Sequence, residues 1–187
     1  MRLSRIERTI EDRDQGLLII TTEPYGMSDL ESRTIQGPAL IVLPKWYGYK
    51  DPAKPIWQVE MDLIATETAR LPLQIFDEDG DLWRIRTPAS LKTPFGKHDI
   101  EVEEDLQVIR SDLLEPIVST AAGDLVAKMP YDDIYFLSDP DLVNTFGLAD
   151  VGNARFATGV VDWLQYYDEN AVIFDVTLHG FVRSENL

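Results

Sequence analysis

The chain has 187 residues, and its 17 basic and 33 acidic side chains give a formal net charge of -16. This length predicts one domain that buries about two thirds of the surface its unfolded chain exposes, and the negative field repels nucleic acid and anionic lipid. The absence of cysteine excludes disulfides, thiolate nucleophiles and zinc sites with sulfur ligands.

The first part of the chain predicts two short helices and two buried strands. Residues 3–13 carry a thin apolar stripe at helical spacing, and a serine and a glutamate at capping-box spacing predict a second helix over 28–33. Residues 17–21 and 39–43 are continuous apolar runs, which are typical of buried parallel strands. No apolar run reaches the roughly 18 residues that a membrane-spanning helix needs.

The middle of the chain begins with a loop, residues 44–52, that is rich in aromatic and cationic side chains. Residues 57–63 alternate between apolar and polar, which predicts a strand with one wet face, although a helix also fits this segment. Residues 71–76 and 82–86 flank a short acidic turn and predict a β-hairpin.

The acidic turn, residues 77–81, has some features of a calcium-binding EF-hand loop. Its three aspartates occupy the first, third and fifth loop positions. However, Leu82 stands where the sixth position requires glycine, and Pro88 stands where the twelfth requires glutamate. These two departures favour a solvated turn.

A surface excursion is predicted over residues 87–105, because this stretch is rich in proline, lysine and acidic residues. Three short strands follow, at residues 106–109, 116–120 and 125–128. The last two are joined by a turn that contains glycine, so they predict a second hairpin.

A strand–helix–strand unit follows. Strands are predicted at residues 134–137 and 171–174, and Asn153 opens the helix between them. The sheet-facing stripe of this helix is expected to consist of Ala157, Val160, Val161 and Leu164. The pattern predicts a single α/β domain over residues 1–187, with a mostly parallel sheet and β-hairpin insertions.

Polar side chains follow the carboxyl ends of the predicted buried strands. In an open α/β sheet, ligands bind outside the carboxyl ends of the parallel strands, and we call this edge the strand-end face. Its candidate ligand-binding residues are Thr22, Lys45, Trp46, Ser138, Asp139, Asp141, Asn144, Asn153, Asp175 and His179. Structural roles compete with binding, since Asp139 and Asn153 could cap helices and His179 could order the C-terminal turn through Asp175.

Several common catalytic motifs are missing. The sequence contains no G-x-S-x-G elbow, no phosphate-binding P-loop and no G-x-G-x-x-G fingerprint. It therefore predicts neither nucleotide chemistry nor any cofactor or metal. Asp139 and Asp175 could still bind a hard divalent cation, or act as acid and base, if the fold brought them together.

The C-terminal part of the chain resembles a bacterial family of uncharacterised membrane-anchored proteins, the family called domain of unknown function 4350. The resemblance rests on Leu137-Ser138-Asp139-Pro140-Asp141-Leu142, Asn144, Asn153-Ala154, Val172-Ile173-Phe174-Asp175 and His179-Gly180. Residues 39–46 are similar to the family's second strand and the loop after it. Val176 is a departure, because many members carry an acidic residue there.

This resemblance implies a three-layer, flavodoxin-like fold similar to that of class I glutamine amidotransferases. It also implies that the chain is the soluble excerpt of a longer protein, anchored in the membrane by flanking segments, with this domain outside the cytoplasm. Family members are often encoded beside an AAA-type ATPase, which implies a role in a membrane-associated complex. The Cys-His-Glu triad of the amidotransferases is ruled out here, since the chain has no cysteine.

Together these features predict a non-enzymatic domain that binds a ligand or a partner protein for a membrane-associated complex. The binding elements would be the loop around Lys45, Trp46 and Tyr47 and the turn at residues 138–141. Two alternatives remain open. A metal-assisted hydrolase would use Asp139, Asp175 and His179, which must then converge, whereas a structural spacer would have a flat strand-end face.

Overall fold

A computed structural model describes residues 16–23, 30–31, 35, 37–51, 53–86, 91, 93–102, 104–165 and 172–175. These residues form a mixed α/β fold that is rich in strands. The strands are β1 Leu18–Thr21, β2 Ala39–Val42, β3 Trp46–Asp51, β4 Lys54–Leu63, β5 Asp81–Ile85, β6 Leu106–Arg110, β7 Glu115–Ser119, β8 Asp124–Lys128, β9 Ile134–Leu137 and β10 Ile173–Asp175. The helices are α1 Thr66–Ala69, α2 Leu71–Gln74 and α3 Val151–Leu164, with 3-10 turns at Pro140–Leu142 and Gly147–Ala149.

The main sheet has eight strands in the order β10-β1-β2-β9-β8-β6-β5, with β7 paired to β8. The first four of these strands are mutually parallel, while β8, β6 and β5 continue in antiparallel pairs. Strand β9 is therefore the border between a parallel and an antiparallel half. The parallel pairing of the buried strands and the β7–β8 hairpin were predicted from the sequence and are confirmed. The prediction of a mostly parallel sheet is wrong, because four of the seven strand pairs in this sheet are antiparallel.

Apolar side chains cover both faces of this sheet, because successive residues of a strand point to opposite sides. Leu40 and Leu137 belong to a cluster that includes Phe156 and Val160 of α3. Ile41 and Phe136 belong to a second cluster that includes α1 and α2 side chains. Continuous apolar runs in β1, β2 and β9 follow from this double coverage.

Strands β3 and β4 form a separate two-stranded antiparallel sheet, which we call the ribbon. Its base pairs Trp46 with Leu63, and the Ile64 amide donates to the Lys45 carbonyl at 2.9 Å. The strand predicted over residues 57–63 is confirmed within β4. The prediction of a loop over residues 44–52 is wrong for 46–51, since these residues form β3, the partner of β4.

The strand predicted over residues 71–76 is also wrong, and with it the hairpin across the acidic turn. Residues Leu71–Gln74 form the short helix α2, with proline in its first turn. Pro72 cannot donate a hydrogen bond to a strand ladder, whereas its fixed φ suits a first helical turn. Strand β5 pairs instead with β6, in antiparallel register from Asp81 opposite Arg110.

Helix α3 begins two residues before the predicted start at Asn153. Its N-cap is Asp150, whose carboxylate accepts a hydrogen bond from the Asn153 amide at 3.0 Å. Its buried side chains are Asn153, Phe156, Val160 and Leu164, while Ala157 and Val161 are half-buried. The predicted helix over residues 3–13 lies outside the described residues, and the one over 28–33 lies mostly outside them. Within the described ranges, no helix is both long and apolar enough to cross a membrane.

Candidate functional site

The strand-end face collects the predicted polar residues at one edge of the parallel half. Thr22 follows β1, Lys45 lies between β2 and β3, Ser138 follows β9, and Asp175 ends β10. These residues lie at one edge of the sheet because β1, β2, β9 and β10 run in the same direction. The structure thus places these residues where the sequence predicted them.

At the centre of this face lies a buried ion cluster of Lys45, Asp139 and Asp141, which we call the Lys45 cluster. The Lys45 ammonium lies 2.9 Å from Asp139 Oδ2 and 2.7 Å from Asp141 Oδ2. Lys45 and Asp139 have no exposed surface, and Asp141 is nearly buried. The register of β2 against β9 explains why these side chains lie close together. Val42 pairs with Leu137, so the segments that follow the two strands leave the sheet side by side.

Backbone amides complete the environment of Asp139. Its Oδ2 accepts a hydrogen bond from the Gln107 amide at 2.8 Å, and its Oδ1 accepts one from the Asp141 amide at 3.0 Å. The second bond caps the 3-10 turn Pro140–Leu142. The capping role considered for Asp139 is therefore present, together with the ion pair.

Asp141 joins the base of the ribbon to the turn before α3. Its Oδ1 accepts hydrogen bonds from Trp46 Nε1 at 2.6 Å and from Asn144 Nδ2 at 2.9 Å. Asn144 Oδ1 accepts in turn from the Gly147 amide at 2.7 Å. Trp46 is half-buried, and the neighbouring Tyr47 is 42% exposed. Trp46 thus belongs to the anchored base, whereas Tyr47 faces solvent.

Gln107 is a central residue of the site that the sequence reasoning missed. Its side-chain Nε2 donates to the main-chain carbonyl oxygens of Pro44 at 3.1 Å and Ser138 at 2.7 Å, while its side-chain Oε1 accepts from Arg84 at 3.2 Å. The Ser138 hydroxyl donates to the main-chain carbonyl oxygen of Gln107 at 2.6 Å. The sequence signal that could have identified Gln107 is a polar residue within the apolar run of β6. The Ser138 hydroxyl is buried and engaged, so it is not placed as a nucleophile.

The electrostatics of the cluster are dominated by burial. Burial raises the pKa of the Asp139 carboxyl, and the Asp141 carboxylate acts in the same direction, while Lys45 opposes the shift. Burial also lowers the pKa of the Arg84 guanidinium, against the favourable field of Asp139 and other carboxylates. The charges of the Lys45 cluster are paired with one another. Among the described residues, no group of three or more acidic or histidine side chains could hold a metal ion.

The raised pKa of Asp139 predicts a specific pH dependence of stability. The folded chain binds a proton at Asp139 more tightly than the unfolded chain does. The contribution of this carboxyl to the free energy of unfolding therefore increases as the pH falls through the raised pKa towards 3.8. Above the raised pKa, Asp139 is ionised, and the full free-energy cost of burying its charge applies. The Asp139→Asn variant lacks this titration, so the stability of the wild type relative to that variant should increase on acidification.

Urea unfolding of both proteins at several values from about pH 7 to about pH 4 measures this difference, since acid effects shared by other carboxylates cancel. A relative stability that decreases on acidification would mean that Lys45 outweighs burial and lowers the pKa of Asp139.

The remaining predicted residues do not join the Lys45 cluster. The Thr22 hydroxyl donates to the Val42 carbonyl at 2.8 Å, which ties β1 to β2. Asp175 is buried at the end of β10, and β1 and β2 separate β10 from β9. At about 4.8 Å per strand, Asp175 and Asp139 are roughly 14 Å apart, too far to share a metal or a proton. His179 lies outside the described residues.

Asn153 fastens a segment of the chain to α3. Residues 93–102, which we call the strap, have no regular secondary structure, and they contact the first turn of this helix. Asn153 Oδ1 accepts from the Glu101 amide at 3.0 Å, and its Nδ2 donates to the carbonyls of Glu101 and Gly147. The candidate binding role of Asn153 thus competes with a complete set of structural hydrogen bonds.

Comparison with known proteins adds no family to these observations. No protein-family model matches the chain, no curated protein is similar to it, and no solved structure matches it. Functional conclusions therefore depend on the geometry of the chain itself.

Proposed function

We propose that this chain is a non-enzymatic, partner-binding domain of a membrane-associated complex, and that the ribbon contacts the partner. The observation that carries this proposal is that β3 and β4 pair only with each other among the described strands. A two-stranded ribbon is marginally stable alone, and its unpaired backbone edges can accept a further strand from another protein.

The base of the ribbon is held rigidly, which favours binding. Lys45, directly before β3, is fixed through its side chain by two carboxylates and through its carbonyl by the Ile64 amide. Trp46 is fixed by its bond to Asp141. A contact element that is already ordered loses less conformational entropy when it binds. The buried cluster thus acts as the foundation of the contact element, in place of the direct ligand contacts predicted for Lys45 and Asp139.

Exposed apolar side chains at this base suit a protein contact. Tyr47 and Leu63 are each 42% exposed. Leu63 pairs with Trp46 and Tyr47 pairs with Asp62, so these two side chains offer an apolar group on each face of the ribbon. Aromatic residues are enriched at protein interfaces, where they bury a large area at low entropic cost. With a net charge of -16, the domain would be steered towards a partner with a cationic surface.

The geometry favours this role over the two alternatives. For a hydrolase, Asp139 and Asp175 would need to meet, but they stand on strands separated by two others. For a spacer, a flat edge would be sufficient, whereas the ribbon leaves the main sheet directly at the strand-end face. The binding role therefore uses the ribbon, which the hydrolase and spacer roles leave unexplained.

The proposal includes the wider setting implied by the family resemblance. In that setting the fold is a three-layer, flavodoxin-like arrangement related to the glutamine amidotransferases, and apolar clusters on both sheet faces support it. The domain lies outside the cytoplasm, membrane segments flank it, and the complex includes an AAA-type ATPase. The ribbon would then contact another protein of that complex.

Site-specific photo-crosslinking in the source organism tests the ribbon contact. Tyr47 and Tyr131 are replaced separately by the photoreactive amino acid benzoylphenylalanine, because both are exposed tyrosines. Tyr131 precedes β9 and therefore lies at the opposite edge of the parallel strands. We expect one discrete adduct from position 47 and none from position 131, because the ribbon meets the partner and the opposite edge of the strands does not.

A shortened ribbon provides the control for folding. Replacing residues 48–61 by Asn-Gly joins the paired residues Tyr47 and Asp62 through a two-residue turn. This variant should unfold cooperatively but no longer co-purify with the crosslinked protein. Equal adducts from both positions, no adduct from position 47, or full retention of the partner by the shortened variant would each contradict the proposal.

A further inference from the structure

Three large apolar side chains are exposed where the chain turns into α3. Phe146 is 64% exposed, Val151 is 61% exposed and Leu148 is 39% exposed. We call residues 146–151 the apolar turn. Because a 3-10 turn rises only about 2 Å per residue, the backbone atoms of these three residues lie within roughly 10 Å of one another. Single exposed apolar residues are common, whereas a group of them marks an interaction surface.

The backbone of the apolar turn is fixed by hydrogen bonds. The Leu148 amide donates to the Asn144 carbonyl at 3.0 Å, and the Asp150 amide donates to the Gly147 carbonyl at 3.1 Å. Asn153 Nδ2 donates to the same Gly147 carbonyl at 3.1 Å. The apolar side chains are therefore presented on an ordered backbone, which reduces the entropy that is lost when a partner binds.

Asp141 joins the apolar turn to the base of the ribbon. One oxygen atom, Asp141 Oδ1, accepts from Trp46 at the ribbon base and from Asn144, whose own Oδ1 holds the Gly147 amide of the apolar turn. Five of the nine large apolar side chains that the described residues expose lie in the apolar turn or at the ribbon base. The two exposed groups are thus neighbours on the strand-end face.

Exposed carboxylates outnumber cations beside the apolar turn. The strap contacts the first turn of α3, so the charges of the strap and of residues 104–105 border this surface. The exposed carboxylates of these segments are Asp99, Glu101, Glu104 and Asp105. Lys97 and Arg155 are the exposed lysine and arginine of the strap and the first turn of α3. Together with the net charge of -16, this excess favours a cationic partner surface.

We infer that the apolar turn and the ribbon base contact the same partner protein, which covers the apolar turn with an apolar pocket bordered by lysine and arginine. This inference rests on the partner contact proposed for the ribbon, and it adds a second point of attachment. Main-chain hydrogen bonds along a ribbon edge accept many sequences, whereas a pocket for side chains selects among them. The apolar turn would therefore determine which protein binds the ribbon.

Photo-crosslinking at position 146 tests the second point of attachment. Phe146, Tyr47 and Leu113 are replaced separately by benzoylphenylalanine in the source organism. Leu113 is the control, because it is 45% exposed and follows the end of β6 that is opposite to Gln107. We expect positions 146 and 47 to form adducts with one and the same protein, identified by mass spectrometry, and position 113 to form none.

The outcomes at these positions separate the joint contact from the ribbon contact. An adduct from position 47 without one from position 146 would overturn the joint contact and leave the ribbon contact intact. The absence of an adduct from position 47 would contradict the ribbon contact, and the joint contact with it. An adduct of position 146 with a lipid or with a different protein would overturn the inference, and so would an equal adduct from position 113.

Calorimetric titration with the purified protein that position 47 captures measures the contribution of the apolar turn. Phe146→Ser and Val151→Ser should each weaken binding by about tenfold or more, whereas Leu113→Ser should not change it. All three side chains are exposed, so the variants should unfold with the stability of the wild type. Raising the salt concentration from about 0.1 M to about 1 M should weaken binding of the wild type. Affinities of the two turn variants that equal that of Leu113→Ser, or binding that does not respond to salt, would overturn the inference.

Discussion

Replacing Lys45 by methionine is expected to lower the free energy of unfolding by about 3–5 kcal/mol, because the Asp139 and Asp141 carboxylates then stay buried without their cation. Methionine retains most of the aliphatic length, so the loss is electrostatic rather than a loss of volume. Urea unfolding measures the free energy directly. The midpoint of thermal unfolding should fall by roughly 10 °C for a domain of this size.

Two controls identify the cause of this loss. Lys128→Met removes a lysine whose partner Asp133 is largely exposed, and it should cost no more than about 1 kcal/mol. Adding Asp139→Asn and Asp141→Asn to Lys45→Met should restore part of the stability, since the buried negative charges are removed with the cation. If Lys45→Met cost no more than Lys128→Met, the buried pairing would not be important for folding.

The second large effect is expected from Gly147→Ala, which should cost about 3 kcal/mol. A Cβ atom at this position would lie 1.5 Å from the Asp141 carbonyl oxygen, so the turn between Asp141 and Gly147 would have to open. Opening would also strain the bond from Asn153 to the Gly147 carbonyl and the bond from the Gly147 amide to Asn144. Urea unfolding of the variant measures the cost.

Gly159→Ala is the matched control for this substitution. A Cβ atom there would meet a ring carbon of Phe95 at 2.6 Å, and a side chain can move aside more easily than backbone. Alanine also favours the helix over glycine by up to about 1 kcal/mol, which offsets part of the clash. We therefore expect a clearly smaller loss for Gly159→Ala. Equal losses would mean that the turn before α3 adapts as easily as the Phe95 ring.

The parallel half of the sheet could be predicted because its strands are buried on both faces and so read as continuous apolar runs, as in Ala39–Val42. Residues 71–76 show the same apolar character, but here three apolar side chains belong to a helix that the proline of its first turn favours. Periodicity alone does not separate a short buried strand from a short buried helix. The partner of β5 was missed for the same reason.

At the site, the sequence predicted which polar residues follow the strands but not how they interact. The pairing of Lys45 with Asp139 depends on the register of β2 against β9, which joins residues more than 90 positions apart. The contribution of Gln107 depends on a strand from the antiparallel half passing beside Ser138. Convergence and burial arise from such long-range pairing, which local sequence patterns do not specify.

The pairing of β1 with β10 has a mechanical consequence. These neighbouring strands are parallel, with Leu18 opposite Ile173 and Ile20 opposite Asp175. Tension that enters the chain before β1 and leaves it after β10 would pull the two strands past each other along their length. The hydrogen bonds between them would then share the load in shear, instead of opening one at a time as in a peeled hairpin. If the domain is held between two anchored segments, this edge is the part of the fold that resists stretching.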